Sequence, residues 1–289
     1  MIRLINHHKL LAILTVALVL RMGILIALYP SLFAFERTGA IHGSGAYDTY
    51  AQNLLETGVY GKSSPGEPDA HLPPLISYVV AGIYATLGRS GFAVGIVNIA
   101  FDLISIATLY HICKRLLPGA SHWHAPLVGL MYACYPYLIF QNLTLIDTPL
   151  FMALLYSWLL TIVMLRERLS LDKTAVLIAL ASGLLLGLIA LVRTNMVLLA
   201  PVLAVWFLFR LSLRQTIARL AIVALVSAIT ISPWIMRNYA VYQQFVPVAM
   251  NGGENLYQGN NPQTVPVFRA GYDVQWIAPP DDLPPAQGM

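Results

Sequence analysis

Five side chains that can move protons or hold phosphate fall within 24 residues: Asp48, Glu56, Glu67, Asp69 and His71. They occupy the stretch Gly43–Leu75, G-S-G-A-Y-D-T-Y-A-Q-N-L-L-E-T-G-V-Y-G…D-A-H-L-P-P-L, in a chain that is only 10% charged. Asp48 suits a general base, a carboxylate that takes a hydroxyl proton as a new bond forms. Its other reading is an acid favoured by the dipole at the start of a surface helix. His71, close to Asp69 and just before Pro73-Pro74, suits a phosphate contact or an exposed loop position. One His and one Asp do not make a metal site. Arg193 (before Thr194-Asn195) and Arg237 (in P-W-I-M-R-N) offer planar forks that match phosphate oxygens. The alternative for both is snorkelling into the headgroup layer. Asp147, in L-T-L-I-D-T-P-L-F, reads as a helix cap ahead of Pro149. His122-x-His124 has no third ligand nearby and reads as interfacial histidines beside Trp123. Cys113 and Cys134, both in apolar runs, read as buried free thiols rather than a disulfide framework. No P-loop, GxGxxG, HExxH or GxSxG is present. No cofactor is therefore implied, and a divalent metal is left open.

These side chains must be positioned by a membrane protein. Of 289 residues, 58% are apolar and 10% charged, with mean hydropathy +0.69. A soluble domain carries about 25% charged residues, so this chain cannot cover a water-facing surface. The formal charge of +4 suits nucleic acid less well than membrane topology. The basic N-terminus leads into an apolar run without a cleavage site and reads as an uncleaved signal anchor.

Apolar segments fall at about 10–30, 74–87, 91–113, 124–142, 148–165, 174–192, 195–211 and 217–235. The second has about 14 helical residues, near 21 Å, too short for a hydrocarbon core of about 30 Å. With 74–87 as a surface helix, seven spans remain and the N-terminus is cytoplasmic. Ten basic residues then lie inside against six outside, while ten acids lie outside against two inside. The first external loop, 31–73, holds a further short helix: Tyr47, Tyr50, Ala51, Leu54 and Leu55 form one stripe, and Gly58 is a C-terminal stop. Resting that stripe on membrane or bundle places Asp48 at headgroup depth. The expected fold is thus an all-α polytopic membrane protein of about seven transmembrane helices plus two interfacial helices. A module over 1–235 precedes a polar extracytoplasmic segment, 236–289, whose Pro-rich end reads as a disordered tail or a cut point.

Two charges lie inside spans. Arg21 and Asp102 sit at similar depth, and each alone costs on the order of 3 kcal/mol at the bilayer centre. A structural Arg21–Asp102 bridge removes that cost, whereas a transporter would use the two as a relay.

Several of these stretches together resemble the GT-C class of membrane glycosyltransferases, especially the protein O-mannosyltransferases (family 39) and the lipid A aminoarabinose transferases. The resemblance rests on the signal anchor with an internal arginine, the loop A-Y-D-T-Y-A-Q-N-L-L-E-T-G-V-Y, the P-P-L-I-S-Y helix and L-I-D-T-P-L-F. The most specific stretch is P-W-I-M-R-N-Y-A-V-Y-Q-Q-F-V-P-V with N-G-G-E-N-L-Y-Q-G-N-N-P. It implies transfer of a sugar from a polyprenyl-phosphate carrier to a lipid, glycan or protein acceptor on the extracytoplasmic face, with inversion, in a bacterial inner (plasma) membrane. Asp48 matches the family's catalytic acid, and Arg193 and Arg237 match its phosphate-binding bases by location. Asp48 is followed by Thr49 where many members have a second acid, and Leu72 stands where aminoarabinose-type members have a basic residue, with His71 as its substitute. The rival functions are a sugar-lipid flippase or small-molecule transporter, and a non-catalytic scaffold.

Overall fold

A computed structural model describes residues 2–62, 66–119 and 121–271. The Pro-rich end lies outside the described residues. In chain order the helices are α1 (Ile2–Leu28), α2 (Phe35–Thr38), α3 (Gly45–Thr57), α4 (Leu75–Leu87), α5 (Gly91–Leu116), α6 (His124–Cys134), α7 (Pro136–Gln141), α8 (Thr148–Glu167), α9 (Lys173–Ala190), α10 (Ala200–Leu208), α11 (Leu213–Tyr242), α12 (Gly252–Gly259) and α13 (Thr264–Arg269). A π-helical turn follows α1, and a 3-10 turn, Thr194–Leu199, precedes α10. The fold is all-α, as expected of a polytopic membrane protein.

Local chemistry sets many of these boundaries. Ser90 caps α5 by accepting from Ala93 N–H, and Asp172 caps α9 by accepting from Ala175 N–H at 2.7 Å. Ser212 and Gln215 close a reciprocal capping box on α11. Gly58 ends α3 in a left-handed conformation, as the sequence predicts.

Among the described residues, five segments are long and apolar enough to cross a membrane: most of α1 with the π turn and α2 that follow it, α5, α8, α9 and α11. The other two expected spans are interrupted, which corrects the reading of each as one continuous helix. The 124–142 segment breaks at Tyr135, where Pro136 supplies no N–H to continue the ladder. The 195–211 segment opens as a 3-10 turn, and Pro201 starts the α-helix behind it. The boundary expected near 235 falls inside α11, which continues to Tyr242.

In the bundle, α1 packs on α5 and α6, α5 on α8, α8 on α9, and α9 on α11. Lipid offers no hydrophobic drive between helices, so close backbone approach and buried hydrogen bonds matter more. Gly183 and Gly187 of α9 face Val226 and Thr230 of α11 so closely that a Cβ at either would meet those side chains within 2.6 Å. The outward faces carry Val19 (65% exposed), Leu177 (66%) and Leu225 (63%). Such apolar surface suits lipid and not water. Cys134 is exposed and Cys113 partly so; both thiols are free, and the expectation that they are buried is corrected because α6 turns its sulfur outward.

The first part of the 31–73 loop is tied down at two points. Glu36 accepts from Gly91 N–H at 2.7 Å and from the Tyr29 hydroxyl at 3.0 Å. Ser44 N–H donates to the Leu145 carbonyl and Leu145 N–H to the His42 carbonyl, both at 2.9 Å. Gly43 sits between them with φ +99°, and a Cβ there would lie 2.4 Å from the Leu145 carbonyl oxygen, so only glycine fits. This contact fixes α3 over the start of α8. The stripe on α3 rests on the bundle: Tyr50 and Ala51 are fully buried, and α3 packs along α4.

Candidate active site

Asp48 lies in the first turn of α3 and is 3% exposed. Its carboxylate is therefore covered, with Tyr84 of α4 against it, rather than open at the edge of the α3 stripe. Its carboxylate is fully engaged. Arg89 donates through Nε to Oδ1 (2.9 Å) and through Nη2 to Oδ2 (2.6 Å). The Tyr84 hydroxyl donates to Oδ1 (2.9 Å), and Gln52 Nε2 donates to Oδ2 (2.7 Å). A carboxylate has about four acceptor positions, and all are filled. Asp48 holds the Arg89 guanidinium above its ordinary range, chiefly by hydrogen bonding. Burial, with the Asp48 charge second, pushes the Tyr84 phenol up, so it remains a donor. Arg89 is the exposed member of this cluster, with 44% of its side chain open to solvent.

Tyr47, the neighbour of Asp48, faces a cavity of about 530 Å³. That volume lies within the range of small-molecule sites, about 300–1,000 Å³. Each wall comes from a different part of the chain: Leu72 and Pro73 before α4, Asp147 at the start of α8, Arg193 after α9, and Asn251 and Asn255 around the start of α12. Arg193 holds Asp147 through two parallel bonds, Nε to Oδ2 at 2.7 Å and Nη2 to Oδ1 at 3.0 Å, and also donates to the Thr148 hydroxyl at 3.0 Å. The hydrogen bond to Asp147 is the main cause that keeps the Arg193 guanidinium above its ordinary range. Burial, with the Asp147 charge second, pushes the Tyr47 phenol up. The Asp147 side chain caps no N–H of α8, which corrects its reading as a helix cap: Arg193 occupies both of its oxygens.

The remaining candidates fall elsewhere. His71 is half exposed, with Nε2 3.6 Å from Glu254. Arg237 donates to the Asp69 and Tyr60 carbonyls, each at 2.7 Å, and stacks on Trp234 at 4.8 Å. It braces the loop to α11. Tyr50, stacked on Tyr60 at 4.3 Å, donates its hydroxyl to Asp69, and Trp234 Nε1 donates to the Val248 carbonyl at 2.7 Å. Arg237 also lines an apolar groove of about 260 Å³ with Tyr78, Leu191, Pro233 and Trp234. Residues 72–73 and 192–193 line the cavity while 74–75 and 191 line the groove, so the two adjoin.

Arg21 and Asp102 meet deep in the bundle, with Nε 2.9 Å from Oδ2. Asp102 also accepts from the Tyr132 hydroxyl (3.1 Å) and Asn142 Nδ2 (3.0 Å). Arg21 donates its other nitrogens to the Ala133 and Tyr132 carbonyls. Those carbonyls belong to the turn broken ahead of Pro136, so the arginine supplies donors where the helical ladder stops, beside the Tyr135 N–H that also reaches the Tyr132 carbonyl. Asn142 is buried in this network. Among the described residues no group of three or more His, Cys, Asp or Glu side chains is arranged to hold a metal ion.

Sequence reasoning did not select Arg89 or the Asp147–Arg193 pair. The equal-depth argument that links Arg21 to Asp102 also applies to Asp147 and Arg193, which sit at the same end of neighbouring helices. Arg89 carried the signal of an external basic residue one position past the C-terminal glycine of a surface helix.

No curated protein and no solved structure matches the chain. A family model, dolichyl-phosphate-mannose-protein mannosyltransferase, matches residues 71–236, a span that holds α4 to α10 and most of α11, with Arg89, Asp147 and Arg193, and begins after Asp48. Since the match covers more than half of the chain, this protein belongs to the dolichyl-phosphate-mannose-protein mannosyltransferase family.

Proposed function

We propose that this protein is an inverting GT-C type glycosyltransferase that moves a sugar from a polyprenyl-phosphate carrier to an acceptor hydroxyl on the extracytoplasmic face of a bacterial inner membrane, with its N-terminus in the cytoplasm. The carrying observation is the junction of an apolar groove with a polar cavity, with Arg193 in the cavity wall and Arg237 in the groove wall. A prenyl tail fits the groove, a sugar fits the cavity, and the phosphate between them meets Arg193. Arg237 braces the groove and His71 stands near the start of α12, so both serve the phosphate less directly than Arg193.

Asp48 is the general base. It takes the acceptor O–H proton while the acceptor oxygen attacks the anomeric carbon from the face opposite the phosphate. The bond from that carbon to the phosphate oxygen breaks, and polyprenyl phosphate leaves with the electron pair. Arginine stabilises the charge that develops on it. Asp48 must first lose one of its donors, and Arg89, the exposed one, is the group that swings away. A second reading makes Asp147 the base, because it borders the cavity and has only Arg193 on its oxygens.

Transfer from a polyprenyl-phosphate sugar by the full chain in proteoliposomes tests both readings. Loss of general-base catalysis is worth about 10²–10⁴-fold. Asp48→Asn is expected to lose this much while Asp147→Asn mainly weakens donor binding. The reverse pattern transfers the role to Asp147. Full activity in both variants overturns the mechanism, and movement of sugar lipid across the bilayer without transfer favours the flippase. In that flippase reading Arg21 and Asp102 are the working charges, yet they are 0% and 2% exposed at their side chains.

A further inference from the structure

The end of the bundle opposite the cavity carries a second surface feature that sugar transfer does not use. Helix α5 starts beside Arg89 and reaches Leu116 after 26 residues, about 39 Å away at about 1.5 Å per residue. At that far end α1 and α6 enclose a groove of about 330 Å³ lined by Ala12, Ile13, Pro126, Leu127 and Leu130. Lys9 and Trp123 stand at its head, with the Lys9 ammonium 4.1 Å from the indole centroid. Leu127 and Leu130 are 56% and 43% exposed, so no described helix of this chain covers the groove.

A second recess of about 180 Å³ adjoins it and shares Pro126. Its lining includes Lys114, Ser121, His122 and His124, together with Tyr110 and Cys113. No carboxylate lines either space, and none is within ion-pair distance of Lys9 or Lys114 among the described residues. Arg115, next in sequence to Lys114, is by contrast neutralised by Glu167. The feature is thus an apolar channel headed by two uncompensated lysines and two histidines, at a depth where a tryptophan marks the interface.

We infer that the α1–α6 seam binds one anionic membrane glycerophospholipid, with an acyl chain in the groove and its phosphate between Lys9 and the Lys114–His124 recess. Charge complementarity selects this occupant. A basic pocket between transmembrane helices suits a negatively charged headgroup. A choline headgroup would set its own cation beside the lysines. A symmetric contact with a second copy would bring two sets of these basic groups together.

The experiment uses the full chain, delipidated in detergent and titrated with phosphatidylglycerol or phosphatidylcholine. Native mass spectrometry and the thermal unfolding midpoint are the readouts. One phosphatidylglycerol per chain is expected to stay bound, and only this lipid should raise the midpoint. Lys9→Gln with Lys114→Gln should weaken retention by about tenfold or more. Leu127→Trp fills the groove at an exposed position and should remove the adduct with every charge intact, while Arg210→Gln, a basic residue outside both spaces, should keep it. Equal retention of phosphatidylcholine overturns the inference. So does unchanged binding by the double lysine variant, or a dimer that Leu127→Trp abolishes in place of lipid. None of these readouts depends on glycosyl transfer.

Discussion

Two of the aspartate–arginine pairs stand in very different surroundings: Arg21 gives Asp102 one hydrogen bond, and Arg193 gives Asp147 two. Arg21 and Asp102 are 0% and 2% exposed at their side chains, and Arg193 and Asp147 are 37% and 11% exposed. In the first, Tyr132, Asn142 and two carbonyls occupy the acceptors and donors that the ion pair leaves open. In the second, the carboxylate meets only Arg193, and both residues border a cavity. The difference teaches that an ion pair in a membrane protein is structural when its polar groups are used up locally, and exchangeable when one side faces open space. A phosphate can compete for Arg193, but nothing reaches Arg21. Asp48 and Arg89 combine the two cases, with a buried acid and a half-exposed base at 4% and 44%.

The strongest test of this contrast is to break the sealed pair. Asp102→Asn leaves Arg21 charged and buried, at a cost of about 3–5 kcal/mol. A large fall in the thermal unfolding midpoint in detergent is expected. Arg21→Met added to Asp102→Asn should recover part of the loss, since Asn still accepts from Tyr132 and no charge remains. A double variant worse than either single change would show that the two residues act separately. Next in size is Arg193→Gln, which removes charged hydrogen bonds worth about 1.5–3 kcal/mol. Its expected effect is a KM for the donor raised about tenfold or more, with a fall in the unfolding midpoint clearly smaller than that of Asp102→Asn because Arg193 is partly open to solvent. An equally large stability loss would place Arg193 with the sealed pair. Smaller again, Tyr84→Phe removes one of four donors to Asp48, a loss of about 1 kcal/mol. It should lower kcat several-fold without changing KM for the donor.

Much of this contrast is legible in the sequence. The Arg21–Asp102 pairing follows from cost alone, because two charges at equal depth in adjacent spans have strong reason to meet. The stripe Tyr47–Tyr50–Ala51–Leu54 and its Gly58 stop mark out α3, and the length of 74–87 marks out α4. What periodicity does not show is which neighbour covers a stripe. Asp48 therefore reads as open at the stripe's edge until Tyr84 of α4 and Arg89 are seen to enclose it. Helix continuity is also hidden: hydropathy runs smoothly through Pro136, and the break there matters because Arg21 uses the carbonyls it frees. Asp147 follows the local rule for a cap, and a partner 46 residues away in sequence overrides that rule.

Towards the exposed end of the series stands Arg115–Glu167, with side chains 39% and 35% open. Here α5 and α8 end, and both partners are long, flexible and close to water. An ion pair of this kind contributes about 0–1 kcal/mol, since solvent screens it and ordering the side chains costs entropy. Glu167→Gln is thus expected to leave the unfolding midpoint almost unchanged. It also leaves Arg115 uncompensated beside Lys114, so the local field at that end becomes more positive. A small gain in phosphatidylglycerol retention is the expected companion effect, and it should shrink with added salt. If Glu167→Gln instead destabilises as strongly as Asp102→Asn, exposure does not rank these pairs, and the division between sealed and exchangeable charges fails with it.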